Sequence, residues 1–292
     1  MKRKIVIGSR ESRLAVRQAE IVMEIIAAEH PGIELEIRTF KTTGDRILDR
    51  RLDEVGGKGL FVKELDAALR DKKIDIAVHS LKDMPMETPA DLPIVAFSKR
   101  EDARDAIVFP QKTDRALRVI GCSSARRALQ LKEMLPDSEI KPVRGNIHTR
   151  LEKLDRGEYT ALVLASAGLR RMGLEGRIGR LFAETEMIPA AGQGILAVQG
   201  RAGEDYGFVS CVNDEDAASC ARAERAFVRA LGGGCTEPIA AFAKAEGSRL
   251  LLRGLYYDEE TRVKRVDSIE GLKKDAEALG CELAARIKRE CE

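Results

Sequence analysis

Cys235 has the surroundings in this chain that most suggest chemistry. Three glycines, residues 232–234, precede it, and a Thr-Glu-Pro segment follows it. Because glycine has no side chain, the backbone here can pass close to a bound molecule. A thiol in such a place could carry a covalently attached group into a cleft. The alternative is a small buried hydrophobic residue in a turn, which is common for free cysteine.

A lysine and an aspartate stand side by side after a predicted strand. Lys82 and Asp83 follow the apolar segment Ile74 to His79, with Ser80 and Leu81 between. In open parallel sheets, ligands bind at the carboxyl ends of strands, so this pair is a candidate for ligand contact. The alternative is a solvated ion pair in a surface loop.

A second polar segment opens a predicted helix. Ser124, Arg126 and Arg127 follow a strand that ends near Gly121. Serine capping explains the hydroxyl, but cations at a helix N-terminus are disfavoured by up to about 1 kcal/mol unless an anion compensates. The segment therefore favours binding of a carboxylate or phosphate.

Further arginines recur where predicted elements end, at Arg10, Arg144, Arg150 and Arg171. Each alone is typical of a protein surface, but together they indicate a cleft that holds a polyanion. His79 and His148 have no obvious metal partner, and structural roles are predicted for both. The chain has neither a Walker loop nor a nucleophile-elbow serine, which disfavours nucleotide and serine-hydrolase chemistry.

Short apolar strands alternate with amphipathic helices through most of the chain, which predicts α/β architecture. We expect a first lobe of residues 1–97 and 195–213, a second lobe of residues 98–194, and an α+β domain of residues 214–292. The polar, glycine-containing stretch from 41 to 58 is predicted to be a surface lid.

The composition excludes several classes of protein. The 292 residues include 50 basic and 48 acidic side chains, aromatic residues are 4% of the chain, and tryptophan is absent. RNA binding and a general nucleic-acid surface are therefore disfavoured. The six cysteines lack paired short spacing, so neither zinc nor disulfides are predicted. No signal peptide or membrane span is recognised, and a cytoplasmic protein without a membrane partner is expected.

Six short motifs occur in order along nearly the whole chain. They are Arg10-x-Ser12, Gly56-Gly57-Lys58-Gly59-Leu60-Phe61, Val78-His79-Ser80-Leu81-Lys82-Asp83, Ser123-Ser124-x-Arg126-Arg127, Arg144-Gly145-Asn146 and Gly233-Gly234-Cys235. Together they resemble the porphobilinogen deaminase family, also called hydroxymethylbilane synthases. The resemblance implies two lobes like those of periplasmic binding proteins, with a cleft between them, and a small α+β C-terminal domain.

The resemblance also implies a dipyrromethane cofactor, joined to Cys235 through a thioether, and a monomeric enzyme without a metal. Every pyrrole of the substrate porphobilinogen carries an acetate and a propionate, and the cationic side chains would bind these carboxylates. The matching cofactor-binding residues are Ser80, Lys82, Ser124, Arg126, Arg127 and Arg144. The matching substrate-binding residues are Arg10, Ser12, Gln18, Lys58, Arg150 and Arg171.

By the same resemblance, Asp83 is the catalytic residue. Porphobilinogen loses ammonia, and the electrophile so formed is attacked by the terminal pyrrole of the primer. Four rounds follow, and hydrolysis then frees the linear tetrapyrrole hydroxymethylbilane. A fixed carboxylate near the pyrrole N–H groups would stabilise the positive charge that develops in each round.

An alternative is a two-lobed receptor that binds a polyanionic metabolite without transforming it. Two residues also depart from the family pattern. Glu54 stands where many relatives have lysine, and Glu237 stands where neutral residues are frequent.

Overall fold

The protein is an α/β molecule with three sheets, seen in a computed structural model that describes residues 4–46, 59, 61–111, 117–234 and 237–289. The strands are β1 (Lys4–Arg10), β2 (Glu34–Phe40), β3 (Ile76–Ser80), β4 (Ile94–Phe97), β5 (Asp105–Val108), β6 (Val119–Gly121), β7 (Glu139–Lys141), β8 (Ala161–Ala165), β9 (Ile178–Leu181), β10 (Leu196–Gln199), β11 (Ala240–Glu246), β12 (Arg249–Tyr257) and β13 (Lys264–Leu272). The helices are α1 (Arg13–Glu29), α2 (Thr43–Arg46), α3 (Lys63–Arg70), α4 (Ala125–Met134), α5 (Ile147–Asp155), α6 (Ser166–Arg171), α7 (Glu215–Ala230) and α8 (Ala276–Arg289).

The first lobe is built on a five-stranded sheet in the order β2-β1-β3-β10-β4. Strand β1 pairs in parallel with β2 and β3, whereas β10 is antiparallel to β3 and β4. Helix α1 packs its apolar face, including Val22 and Ile26, into the same core as Ile5 and Ile7 of β1. The parallel strands therefore bring the ends of β1 and β3 to one edge of the sheet.

The second lobe repeats this plan with the order β7-β6-β8-β5-β9. Strand β6 is parallel to β7 and β8, and β5 is antiparallel to β8 and β9. A third domain follows, in which the antiparallel sheet β11-β12-β13 shares one core with α7 and α8. The predicted fold of two α/β lobes and a small α+β domain is confirmed.

The chain passes between the lobes twice, at residues 98–104 (the first crossover) and 182–195 (the second crossover). Gly194 has a φ of +91°, and a Cβ there would lie 2.2 Å from the carbonyl oxygen of Glu101. Only glycine permits both the conformation and this contact between the two crossovers.

One buried carboxylate joins both crossovers to the third domain. Glu224 of α7 is 0% exposed and accepts hydrogen bonds of 2.7 Å each from Arg100 Nη2, Gly192 N and Ala243 N. Arg100 belongs to the first crossover, Gly192 to the second, and Ala243 to β11. Because a buried charge is tolerated only when it is paired, Glu224 holds these three segments together.

Two differences from the sequence prediction concern the early chain. Residues Thr43–Arg46, predicted as part of a lid, form a helical turn, and residues 47–58 of that segment lie outside the described residues. Strand β3 begins at Ile76 and not at Ile74. Within the described ranges, no helix is both long enough and apolar enough to cross a membrane.

We predict that Glu224→Gln lowers the free energy of unfolding by about 3 kcal/mol, the usual loss when one partner of a buried ion pair is removed. Denaturant unfolding would measure it. Glu246→Gln is the control, because Glu246 pairs with Lys244 on an exposed surface and its loss should change stability little. Equal effects of the two substitutions would contradict the role of Glu224.

Candidate active site

Asp83 ends a short 3-10 turn, Leu81–Asp83, that follows β3 directly. Leu81 and Met84 on either side are 0% and 1% exposed, and Leu81 N donates to Ile195 O at 3.0 Å. Asp83 itself is only partly buried. Buried anchors therefore fix the turn and leave the carboxylate accessible at the carboxyl end of a parallel strand, as predicted.

The larger cavity beside Asp83 has a volume of about 150 Å³ and is lined by both lobes, the second crossover and the third domain. Its lining residues are Lys82, Asp83, Met86, Ser124, Arg126, Arg127, Ala190, Ala191, Gln193, Val228, Gly234, Glu237 and Ile239. Cationic groups from both lobes thus face a space that the glycine-rich turn of the third domain also borders. This arrangement suits a ligand with several carboxylates.

A smaller cavity of about 20 Å³, also lined by Asp83, lies within the first lobe. Arg10, Gln18, Phe61 and Ser80 are among its lining residues. The Arg10 guanidinium lies 4.1 Å from the centre of the Phe61 ring, and Gln18 Nε2 donates to Ser80 Oγ at 2.8 Å. Asp83 lines both cavities and so borders two polar spaces.

Arg126 and Arg127 share one internal carboxylate. Arg126 Nη1 lies 2.7 Å from Asp105 Oδ2, and Arg127 Nε donates to Asp105 Oδ1 at 2.9 Å. All three side chains are buried. Burial alone would raise the pKa of Asp105, but the two guanidinium groups outweigh it and hold the pKa below its usual range.

This cluster alters one prediction. The arginines were expected to need an external anion at the start of α4, but Asp105 supplies a compensating charge from within. Two guanidinium groups against one carboxylate leave one positive charge facing the cavity. Asp105 was missed, although an aspartate opening the apolar strand β5 was a signal that could have identified it.

Gln193 is a second residue that the sequence analysis missed. Its Nε2 donates to Asp105 Oδ1 at 2.9 Å and to Ala103 O at 2.6 Å, and its Oε1 accepts from Lys82 Nζ at 3.2 Å. The signal was its place between two glycines at the predicted boundary between the second lobe and the return to the first. The amide joins Lys82 of the first lobe to the cluster of the second.

Burial lowers the pKa of Lys82 to about 8, with the nearby Arg127 guanidinium as a further cause. Burial also lowers the pKa of Arg150 to about 10, reinforced by Arg127 and Arg144. The pKa of Arg171 falls to about 10, again through burial. These shifts record chiefly the cost of burying cations, a cost that an anionic ligand would offset.

The remaining predicted site residues form helix-capping or backbone hydrogen bonds. Ser124 caps α4 and lines the larger cavity, and Ser12 caps α1 through Ala15 N at 3.3 Å. Arg150 Nε donates to Gly145 O at 2.7 Å, and Arg171 Nη2 donates to Gly194 O at 2.5 Å. The linings of the two cavities do not include Ser12, Arg144, Arg150 or Arg171.

Two predicted residues, Cys235 and Lys58, lie outside the described residues. The residues on either side of the 235–236 segment, Gly234 and Glu237, both line the larger cavity. His79 is buried with its Nε2 3.1 Å from Gln199 Oε1, and burial lowers its pKa to about 4. A neutral, structural histidine agrees with the sequence prediction.

A two-lobed α/β fold with a third domain and a cation-lined cavity between them suits a protein that binds a polycarboxylate. Comparison with known proteins supports this class. A sequence model described as "Porphobilinogen deaminase, dipyromethane cofactor binding domain" matches residues 5–207, and one described as "Porphobilinogen deaminase, C-terminal domain" matches residues 218–289.

Similar proteins named porphobilinogen deaminase cover almost the whole chain. That of Ruminiclostridium josui is 52% identical over 98% of both chains, and that of Alkaliphilus oremlandii is 53% identical over 99% of this chain and 98% of its own. That of Chromobacterium violaceum is 44% identical over 97% and 94%, respectively. The chain therefore belongs to the porphobilinogen deaminase family, as its motifs predicted.

Among solved structures, the methionine-binding protein MetQ is 14% identical with a TM-score of 0.44, covering 72% of this chain and 88% of its own. The Bordetella pertussis BvgS VFT2 domain is 17% identical with a TM-score of 0.41, covering 72% and 85%. These likenesses are too distant to bear on function.

Family membership establishes the activity that the motifs predicted. The chain is a transferase of tetrapyrrole and heme biosynthesis, a hydroxymethylbilane synthase, with porphobilinogen as substrate and dipyrromethane as cofactor. The relatives are enzymes by name and give no support to a receptor without chemistry.

The residues present fit this cofactor. A dipyrromethane carries carboxylates and pyrrole N–H groups, and the larger cavity offers Lys82, Arg126 and Arg127 for the former and Asp83 for the latter. The cationic surplus around Asp105 is the observation on which this fit rests.

We predict that Lys82→Met makes the ligand-free protein more stable at pH 7. Because the pKa of Lys82 in the folded state is lowered to about 8 from its ordinary value of 10.5, charged Lys82 costs stability below pH 8. That cost falls as the pH rises from 8 to 10.5. Urea unfolding of both proteins at pH 7 and pH 9.5 should show the advantage of the variant shrinking. A constant difference between the two pH values would contradict this.

Proposed function

We propose that the two cavities divide cofactor and substrate between them, with Asp83 acting on both. The observation that carries this proposal is that Asp83 borders both the cation-lined cavity and the cavity of Arg10 and Gln18. A carboxylate in that place can accept hydrogen bonds from pyrrole N–H groups on either side.

The larger cavity would hold the cofactor on Cys235. Lys82, Arg126 and Arg127 neutralise its carboxylates, Ser124 offers a hydroxyl, and Arg144 adds positive charge close to Arg150. When bound, dipyrromethane supplies a nucleophilic pyrrole carbon as the growing end of the chain. Because Arg126 and Arg127 are held by Asp105, their guanidinium groups are oriented before a ligand arrives, which reduces the entropy lost on binding.

The smaller cavity would take only part of porphobilinogen, because its volume of about 20 Å³ is close to that needed by one water molecule. Arg10, held against Phe61, faces one carboxylate of the substrate, while the hydrogen-bonded pair of Gln18 and Ser80 offers donors and acceptors. Ser80 was predicted to hold the cofactor, and its position favours the substrate side. Ser12, Arg150, Arg171 and Lys58 are proposed to bind further carboxylates as the product lengthens.

Asp83 would act chiefly through its charge. Loss of ammonia from porphobilinogen leaves positive charge on the pyrrole nitrogen, and a preorganised carboxylate lowers the energy of that state. The buried anchors Leu81 and Met84 hold the carboxylate in place, so little reorganisation is needed when charge develops. Lys82, beside it, pairs with substrate or cofactor carboxylates.

The proposal extends to the domain boundaries, the oligomeric state, the cellular location and the partners. The first lobe comprises residues 1–97 and 195–213, the second residues 98–194, and the third domain residues 214–292. The enzyme acts as a cytoplasmic monomer without nucleic-acid or membrane partners. The near balance of 50 basic and 48 acidic side chains supports the absence of a nucleic-acid partner.

Replacing Asp83 by Asn tests the catalytic role, since Asn keeps the shape but removes the charge. We expect turnover of porphobilinogen to fall by about a hundredfold or more, the usual effect of losing one preorganised charge-stabilising group. Intact-protein mass spectrometry should still show the two-pyrrole adduct.

The matched control is Glu87→Gln, which removes an exposed carboxylate four residues further along the same segment and should leave turnover unchanged. Near-normal turnover by the Asp83→Asn enzyme would refute the assignment.

A further inference from the structure

The segment that follows Asp83 has no regular secondary structure, because residues 84–93 belong to neither a helix nor a strand. On its N-terminal side the Asp83 turn is fixed by β3 and by the hydrogen bond from Leu81 N to Ile195 O at 3.0 Å. On its C-terminal side, Pro85 has no N–H group to donate. Contacts to carbonyl oxygens and side chains must therefore fix this side of the turn.

Arg225 of α7 supplies two such contacts. Its Nη2 donates to Pro85 O at 2.6 Å and to Met86 O at 3.0 Å. Hydrogen bonds from a charged donor are about twice as strong as neutral ones, and the side chain is only 7% exposed, so little water competes for them. One nitrogen of the third domain thus holds two successive peptide groups shortly after Asp83.

The same face of α7 also contacts the Asp83 turn through apolar side chains. Ala217, Ala221 and Arg225 follow one another at intervals of four, which places them on one face of the helix. Ala217 and Ala221 share a core with Leu81 and Met84, the buried anchors of the turn. The third domain therefore supports the turn both by packing and by the hydrogen bonds of Arg225.

The position of Arg225 indicates a connection within the protein and not a ligand contact. The linings of the two cavities beside Asp83 do not include Arg225, whereas Met86, whose carbonyl it holds, lines the larger one. A carboxylate that stabilises developing charge works best when it is held in place beforehand. A displacement of about 1 Å, caused by a change remote from the reacting atoms, can slow a reaction by about a hundredfold.

We propose that Arg225 is a positioning residue for the reaction: by holding the carbonyl oxygens of Pro85 and Met86, it fixes the Asp83 carboxylate with respect to both cavities. Arg225 exchanges no proton and contacts no reacting atom. The proposal rests on the function proposed above, because it assumes that the charge of Asp83 stabilises the transition state.

The test compares the original holoenzyme with Arg225→Met, which keeps a long apolar side chain but removes the donor. Turnover is divided by the amount of protein that carries the two-pyrrole adduct in intact-protein mass spectrometry. We expect kcat to fall about tenfold, less than the loss expected of Asp83→Asn, because the carboxylate is displaced but keeps its charge. KM should change by less than about twofold, because an interaction made in the transition state does not contribute to substrate binding.

A double-mutant cycle shows whether Arg225 acts through Asp83. In Asp83→Asn the charge is already absent, so adding Arg225→Met should lower kcat by no more than about a further twofold. Two independent effects would instead multiply, to about a thousandfold below the original enzyme. Arg225→Lys, which retains a charged donor on a flexible side chain, should recover part of the kcat lost in Arg225→Met.

The matched control is Arg222→Met, the same substitution three residues earlier on the same helix. Arg222 is exposed and lies 3.9 Å from Glu215 in a surface ion pair, which contributes little to stability. The control should leave kcat and KM unchanged.

The inference is overturned if Arg225→Met keeps the original kcat, if Arg222→Met loses as much, or if the two effects multiply in the cycle. A raised KM with unchanged kcat would also overturn it, since Arg225 would then bind a substrate carboxylate. If Arg225→Met does not fold, the cycle is made with Arg225→Lys, whose smaller loss must likewise disappear in Asp83→Asn. All these results leave the proposed function intact, whereas normal turnover by Asp83→Asn alone would defeat both.

Discussion

The site depends on keeping several like charges together in a buried place before any ligand arrives. Asp105 solves this problem for Arg126 and Arg127 by binding both guanidinium groups with one carboxylate. Without it, two adjacent buried cations would repel each other and pay the full cost of leaving water. With it, they keep a fixed orientation and a surplus of one positive charge. Gln193 extends the same network to Lys82, so that charges from both lobes act on one space.

Catalysis needs a different kind of carboxylate from Asp105. Asp105 is fully buried and fully occupied by its partners, whereas Asp83 is partly exposed and stands between two cavities. The short turn after β3 achieves this because the apolar residues Leu81 and Met84 are buried and the residues between them are left at the surface of the cleft. The proposed function thus gives the two acids separate purposes, a structural one for Asp105 and a catalytic one for Asp83.

Local patterns in the sequence predicted much of this architecture. The alternation of apolar strands and amphipathic helices predicts the two α/β lobes, and Lys82-Asp83 was placed correctly because a polar pair after a buried strand must lie at the carboxyl edge of its sheet. Asp105, Gln193 and Glu224 were not predicted as interacting groups. Their importance depends on partners between 19 and 124 positions away, which no local pattern reveals. The position of Ser80 was also not predicted, because it depends on a hydrogen bond to Gln18, 62 positions away, that places Ser80 beside the smaller cavity.

The most direct test of this account is a crystal structure of the enzyme with its cofactor attached. The account predicts that pyrrole nitrogens of the group on Cys235 lie within hydrogen-bonding distance of the Asp83 carboxylate, at about 3 Å. It also predicts that the acetate and propionate groups contact Arg126 and Arg127 while both arginines stay paired with Asp105. Rings that lie away from Asp83, with their carboxylates turned to solvent, would contradict it.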